Sequence, residues 1–298
     1  MALRSPGIAV RGITTIAGNV NVQQATANAL YVAQLCGACD VPVYAGCEKP
    51  MLREAIDANW FHGRDGLGDL GFVPAGGSAA TGHAVDAILD LTRRHPGLTL
   101  VTLGPLTNIA VALLRDPTLA QRVGRCVVMG GNPCCVGNVT PAAEYNIWCD
   151  PEAAQIVLRS GLAVELVGWH LCRGDAVLNT ADIAAVRSIG TRLANFAIDC
   201  NRTAAAAYLQ QTGEPGISLP DPTAMAVALD PVVVASASSH AVAVECHSEL
   251  TRGQTIVDQL NVSTDQRNSA IWEAERSVRV IWSIDVEMFK RMLIASLS

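Results

Sequence analysis

Short runs rich in β-branched and small apolar residues alternate with longer helix-period runs along the whole chain, and this alternation limits the fold more than any other feature. Strand-like runs at 8–16, 41–45, 98–103, 125–129, 163–167, 241–246 and 279–284 are interleaved with helical patterns at 22–35, 79–94, 108–114, 152–160, 180–211, 223–229 and 286–297. That spacing predicts βαβ units, and so an α/β protein with a mostly parallel sheet covered by helices on both faces. No Pro/Ser-rich linker, repeat or charge block divides the 298 residues, which predicts a single domain over 1–298. Asp150-Pro151 and Asp221-Pro222 each read as an N-cap followed by proline at the first helical position. In such a sheet ligands bind beyond the C-terminal ends of the strands, so polar residues there are the candidates.

Composition removes several classes of function. A hydrophobic content of 50% with 16% charged residues excludes a disordered chain. A net charge of −6 and 4% aromatic residues argue against nucleic-acid partners. The only lysines are Lys49 and Lys290, neither in a G-x-x-x-x-G-K-[ST] loop, so neither a P-loop nor a Schiff-base lysine is expected. The most apolar stretch, 232–246, is interrupted by serines and His240 and is too short for a bilayer. The first twelve residues lack the apolar core of a secretory signal. A cytoplasmic protein without a membrane partner, its ten cysteines reduced, is the expectation.

Three motifs carry less than their spelling promises. The G-x-G-x-x-G at 66–71 follows no strand and opens no helix, since Phe72-Val73-Pro74 comes next; it reads as a mobile glycine loop. Cys36-Gly37-Ala38-Cys39 has no second pair or zinc-spaced histidines and reads as a helix end. His62 stands at the edge of a polar loop, and both a surface and a site role stay open, whereas His83, His95, His170, His240 and His247 read as structural.

The segment 129–146 is different. A buried strand ends at Met129-Gly130-Gly131, and the chain then presents Asn138, Glu144 and Asn146 within nine positions. Glu144 and Asn146, two apart, point the same way on an extended backbone. Two amides and a carboxylate offer donors and acceptors together, as a polyhydroxylated ligand requires, although an ordinary polar loop accounts for the same residues.

Here a resemblance becomes specific. Met129-Gly130-Gly131, Gly137-Asn138-Val139-Thr140-Pro141, Glu144-Tyr145-Asn146-Ile147 and Asp150-Pro151-Glu152 are similar to the signature of the inosine–uridine-preferring nucleoside hydrolases. So are Gly12 to Val20, Val41 to Gly46, His62 to Gly68, Thr102 to Asn108, Asp221-Pro222 and Glu249-Leu250-Thr251-Arg252-Gly253, in the family's order. The resemblance implies hydrolysis of the N-glycosidic bond of a small ribonucleoside through an oxocarbenium-like state, with a Ca2+ ion gripping the ribose hydroxyls. It implies Asp221 and the Leu103 carbonyl as metal ligands. Asn19, Asn138, Glu144 and Asn146 would bind ribose, with Met129 beside it and His62 near the mouth. A homo-oligomer is also implied.

Two departures stand against that pattern. The family's aspartate-rich D-x-D-P-G-x-D-D loop, which follows its first strand and supplies the general base and most metal carboxylates, is absent from residues 1–298. The expected domain therefore lacks that strand and loop, with impaired activity and no assigned catalytic base. Pro220 stands where many members carry a histidine thought to protonate the leaving base, which leaves base preference open. A catalytically inert nucleoside-binding or sensor protein is the alternative reading.

Overall fold

Strands buried on both faces read as continuous apolar runs, and 126–129 and 164–167 are fully enclosed. The computed structural model describes residues 1–268 and 277–298. Its strands are β1 (Ile13–Thr14), β2 (Val43–Tyr44), β3 (Leu98–Thr102), β4 (Val123–Met129), β5 (Val164–Val167), β6 (Val234–His240), β7 (Val242–Val244), β8 (Thr255–Val257) and β9 (Val278–Ile284). Its helices are α1 (Val22–Leu35), α2 (Asn59–His62), α3 (Ala84–Arg94), α4 (Thr107–Arg115), α5 (Leu119–Arg122), α6 (Tyr145–Cys149), α7 (Pro151–Leu158), α8 (Thr180–Ser188), α9 (Arg192–Asp199), α10 (Arg202–Thr212), α11 (Pro220–Leu229) and α12 (Val286–Leu297).

The main sheet runs β3-β4-β5-β9-β6, parallel except for the antiparallel edge strand β6. One face packs Ile88, Leu106, Leu113, Leu119 and Val157 against Val128 and Leu166; the other packs Ile198, Val227, Phe289 and Leu293 against Val127, Val167 and Ile281. Helices cover both faces, as the alternation predicts. β7 and β8 form a separate antiparallel hairpin, and β1 and β2 a separate parallel pair. Among the described residues β3 pairs only with β4 and β1 only with β2, so these two edges share no ladder.

Side chains tie the β1–β2 pair down instead. Asn108 on α4 donates from Nδ2 to the Thr15 carbonyl at 2.9 Å and accepts the Cys47 N–H at 2.9 Å. Gly46 makes room for it, because a Cβ there would collide with the Asn108 amide. Asp150 caps α7 through the Ala153 N–H at 3.1 Å, as expected, and also accepts Met51 N–H and the Thr107 hydroxyl.

The buried Glu165 on β5 takes Arg125 and Arg279 at 2.6 Å each. The Arg125 guanidinium reaches on to the Val227 and Ala228 carbonyls at 3.1 Å, tying down the C-terminal turn of α11.

Several expectations need correction. The strand expected at 8–16 shrinks to Ile13–Thr14, and the helix expected from 79 starts at Ala84, where His83 Nδ1 caps it. Asp221 is not an N-cap. The helix begins one residue earlier, with Pro220 in its first turn and Leu219 at the cap position, so the Asp221 carboxylate is not spent on the backbone. The 66–71 loop is held rather than loose: Asn28 Nδ2 donates to the Asp65 carbonyl at 2.8 Å and Arg202 to the Gly68 carbonyl at 2.8 Å. Asp65 Oδ1 accepts the N–H groups of Leu67 and Asp69 at 2.7 and 2.9 Å. All ten cysteines are free thiols.

Candidate functional site

Beyond the ends of β3 and β4 the chain turns at Gly130-Gly131, and Gly131 adopts a left-handed φ of +74°. That turn aims the Gly131 N–H at Glu144 Oε2, 2.9 Å away. Glu144, 98% buried, also caps α6 by accepting the Asn146 and Ile147 N–H groups at 2.8 and 3.2 Å. Glu144 and Asn146 are therefore not neighbours on an extended strand, as the two-residue spacing predicts. One is a cap and the other lies in the first turn, and the helix turn brings them together.

Asn146 Nδ2 donates to the Met129 carbonyl at 3.3 Å and approaches Met129 Sδ at 3.1 Å and the Leu103 carbonyl at 3.5 Å. Asn138 Oδ1 accepts the Tyr145 N–H at 2.8 Å, which ties the 138 turn to α6. Leu103, Met129, Asn138, Glu144 and Asn146 thus form one connected cluster. Each polar side chain keeps part of its capacity free: the Asn146 carbonyl, the Asn138 amino group and the remaining lone pairs of Glu144.

Asp221, from α11, joins this cluster through charge. Burial pushes its carboxyl up to about 7, and repulsion from Glu144 adds to the rise. Glu144 is likewise pushed up to about 7 by burial, against the lowering effect of its three backbone N–H donors. Cys172 is a neighbour that strand-and-helix patterning missed. Its buried thiol is raised first by desolvation and then by Asp221 and Glu144, while it bonds to the Thr223 side chain. Its place just past the end of β5 is the signal that could have found it.

Asn19 and His62 lie on an adjoining wall. The Asn19 carbonyl accepts the Ala58 N–H at 3.0 Å, and Ala58 packs with Tyr145 and Cys149 of α6. His62 ends α2, partly buried against Phe61, and burial pulls its pKa down to about 4. Neither side chain hydrogen-bonds another candidate among the described residues.

A calcium ion takes six to eight oxygens. Here the donors are one free carboxylate, Asp221, and the Leu103 carbonyl, which Asn146 already approaches. Among the described residues no group of three or more His, Cys, Asp or Glu side chains could hold a metal. The residues present do not fit a resident calcium ion.

A buried carboxylate–amide cluster thus stands beyond the ends of parallel strands, where α/β folds of this class bind their ligands. The family model described as inosine-uridine preferring nucleoside hydrolase matches residues 1–291, and the chain belongs to that family. An inosine-uridine preferring nucleoside hydrolase of Leishmania major is 37% identical over 261 residues, 87% of this chain and 82% of that one. A probable uridine nucleosidase of Oryza sativa is 35% identical across 96% of this chain and 87% of that one. Among solved structures, a plant nucleoside hydrolase superposes with a TM-score of 0.92 at 31% identity, covering 99% of this chain and 92% of that one. A purine-preferring ribonucleoside hydrolase from Gardnerella vaginalis gives 0.88 at 30% identity, with 99% and 92% covered.

Proposed function

We propose that this chain binds ribonucleosides and hydrolyses their N-glycosidic bond to ribose and free base. The observation that carries the reading is the Glu144–Asn146–Met129–Leu103 cluster, joined by Asp221, at the strand ends of a fold shared with nucleoside hydrolases. In this reading Glu144 accepts from a ribose hydroxyl while its other lone pairs hold α6, and Asn138 and Asn146 orient the sugar. Met129 packs beside the ring, and Asn19 and His62 border the base.

His62 is neutral at pH 7, so it can accept or donate a hydrogen bond to a base but does not act as a cation there. Leaving-group protonation is not assigned, because the Pro220 side chain offers no proton. The named relatives differ in preference, uridine in one and purines in another, and base choice is left to experiment.

Residues 1–298 contain no D-x-D-P-G-x-D-D run, and among the described residues β1 and β3 share no ladder. No described carboxylate besides Asp221 and Glu144 belongs to the cluster, and both are raised toward neutrality. We therefore propose that residues 1–298 bind nucleoside far better than they turn it over. A nucleoside-binding protein without turnover is the second reading, favoured by that same donor shortage.

Calorimetry with inosine, uridine and ribose, with and without calcium, paired with a ribose-release assay, tests both readings. Binding with slow turnover is the expected result, binding with no turnover overturns hydrolysis in favour of the second reading, strong turnover by residues 1–298 overturns the impairment, and no binding by any ligand overturns the site. A homo-oligomeric, cytoplasmic protein completes the proposal, and Leu52 and Val73, 76% and 70% exposed, are apolar side chains that an oligomer contact would cover. No helix among the described residues is long and apolar enough to cross a membrane. Light scattering of the purified chain tests the oligomer.

A further inference from the structure

The block Glu249-Leu250-Thr251-Arg252-Gly253 has no part in the site as built so far, yet the loop joining β7 to β8 grips α6 from outside. Arg252 donates from Nε to the Trp148 carbonyl at 3.0 Å, satisfying one of the last carbonyls of a five-residue helix. Its guanidinium lies over the Trp148 ring, 4.1 Å from the centroid. Gly253, at φ +77°, sits so close that a Cβ would lie 2.6 Å from Trp148 Cα. Behind the glycine turn that donates to Glu144, Thr255 on β8 fills the space where a Gly131 side chain would be, its Oγ1 2.6 Å from that Cβ position.

The loop has its own anchors. Gln155 on α7 accepts the Val244 N–H at 2.8 Å, and Arg53 bridges the Cys246 carbonyl at 2.6 Å to Glu152 at 2.7 Å. Internal bonds close the turn, Gly253 N–H to the Glu245 carbonyl at 2.8 Å and Gln254 N–H to the Thr251 carbonyl at 2.9 Å.

A single five-residue helix does not hold itself in place, since nucleating a turn is unfavourable and few bonds follow it. Glu144 can keep its position only while its three N–H donors, at Gly131, Asn146 and Ile147, stay in place. Two of these donors are on α6, which Arg252 secures, and the third is on the glycine turn that Thr255 backs. We infer that Arg252 is a positioning residue for the ribose-binding carboxylate, and that residues 252–255 act as an outer clamp holding α6 and the Gly131 turn against Glu144. This rests on the proposed function only in taking Glu144 as a sugar ligand; the clamp itself is a statement about α6.

Hydrogen exchange on the whole chain, read at residues 129–132 and 145–149 and compared with 124–128 and 164–167, tests the clamp without any substrate. Arg252→Ala should speed exchange at the Gly131, Asn146 and Ile147 amides at least tenfold while the β4 and β5 amides stay protected. Ribose or inosine binding should weaken at least tenfold in parallel. Arg252→Lys, which keeps a cation near the ring and a donor near the Trp148 carbonyl, should recover part of both effects and carries the test where the alanine variant does not fold.

Unchanged exchange at the three amides, or an equal rise across β4 and β5, would overturn the clamp. Wild-type protein that binds neither ribose nor inosine would sink the sugar reading, and the exchange pattern would still decide the clamp.

Discussion

The β3-β4-β5-β9-β6 sheet and the β1–β2 pair are both built from parallel strands, but they are secured in different ways. The large sheet is held by continuous ladders and two apolar layers in which Val127, Val128, Leu166 and Ile281 have no exposed surface. The small pair has two residues per strand and depends on polar staples from Asn108 and Asp150. Hydrophobic packing tolerates small shifts, whereas a side-chain amide bonded to two backbone groups fails all at once. The candidate site lies where the two meet, with Glu144, Asn146 and Asp221 on the rigid side and Asn19 and His62 on the stapled side.

The contrast is open to measurement. Phe289→Ala empties a fully buried position beneath β9 and should cost about 3–5 kcal/mol in urea unfolding, with the whole protein losing stability together. Asn108→Ala strands the Thr15 carbonyl and the Cys47 N–H and should cost about 2–3 kcal/mol. Its loss should be concentrated in faster hydrogen exchange at 13–15 and 43–47. If both variants open the same amides, the two regions are one cooperative unit and the contrast fails.

Smaller effects come from titration. Glu144 has a carboxyl raised in the fold from 4.5 to about 7, so its stabilising share is whole below pH 4.5 and lost as pH rises through 7. Wild-type Tm should fall relative to Glu144→Gln over that window. His62 is lowered from 6.5 to about 4, so its share is whole above pH 6.5 and lost as pH falls toward 4. Wild type should therefore lose Tm relative to His62→Gln between pH 6.5 and 4, by less than the Glu144 effect, because α2 can open without the sheet. Matching acid-limb curves for wild type and His62→Gln would show the ring to be hydrated.

Much of the fold was legible because buried parallel strands announce themselves. The runs at 98–103, 125–129 and 163–167 and the terminal helix at 286–297 lie within one or two residues of their observed bounds. The edge strand β6 was not legible, since Val-Ala-Ser-Ala-Ser-Ser-His carries neither an apolar run nor a clean alternation. The candidate residues of the 129–146 segment were legible through their order and resemblance, but their geometry was not. A two-residue spacing cannot reveal that Glu144 is a cap, and Asp221-Pro222 imitates a helix start that Pro220 has already made. Arg252 was visible only as part of a family block, because its partner Trp148 is 104 residues away.

The grip of Arg125 on the last carbonyls of α11 has a bearing on how such a site changes over time. A ten-residue helix is about 15 Å long, so Arg125 registers Asp221 from the far end of a stiff rod. The segment before it is fastened as well, by the Ser218 hydroxyl on the Cys172 carbonyl and by the Leu178–Ile217 bridge, so a change on either side must leave the other hold intact if the acid is to keep its station.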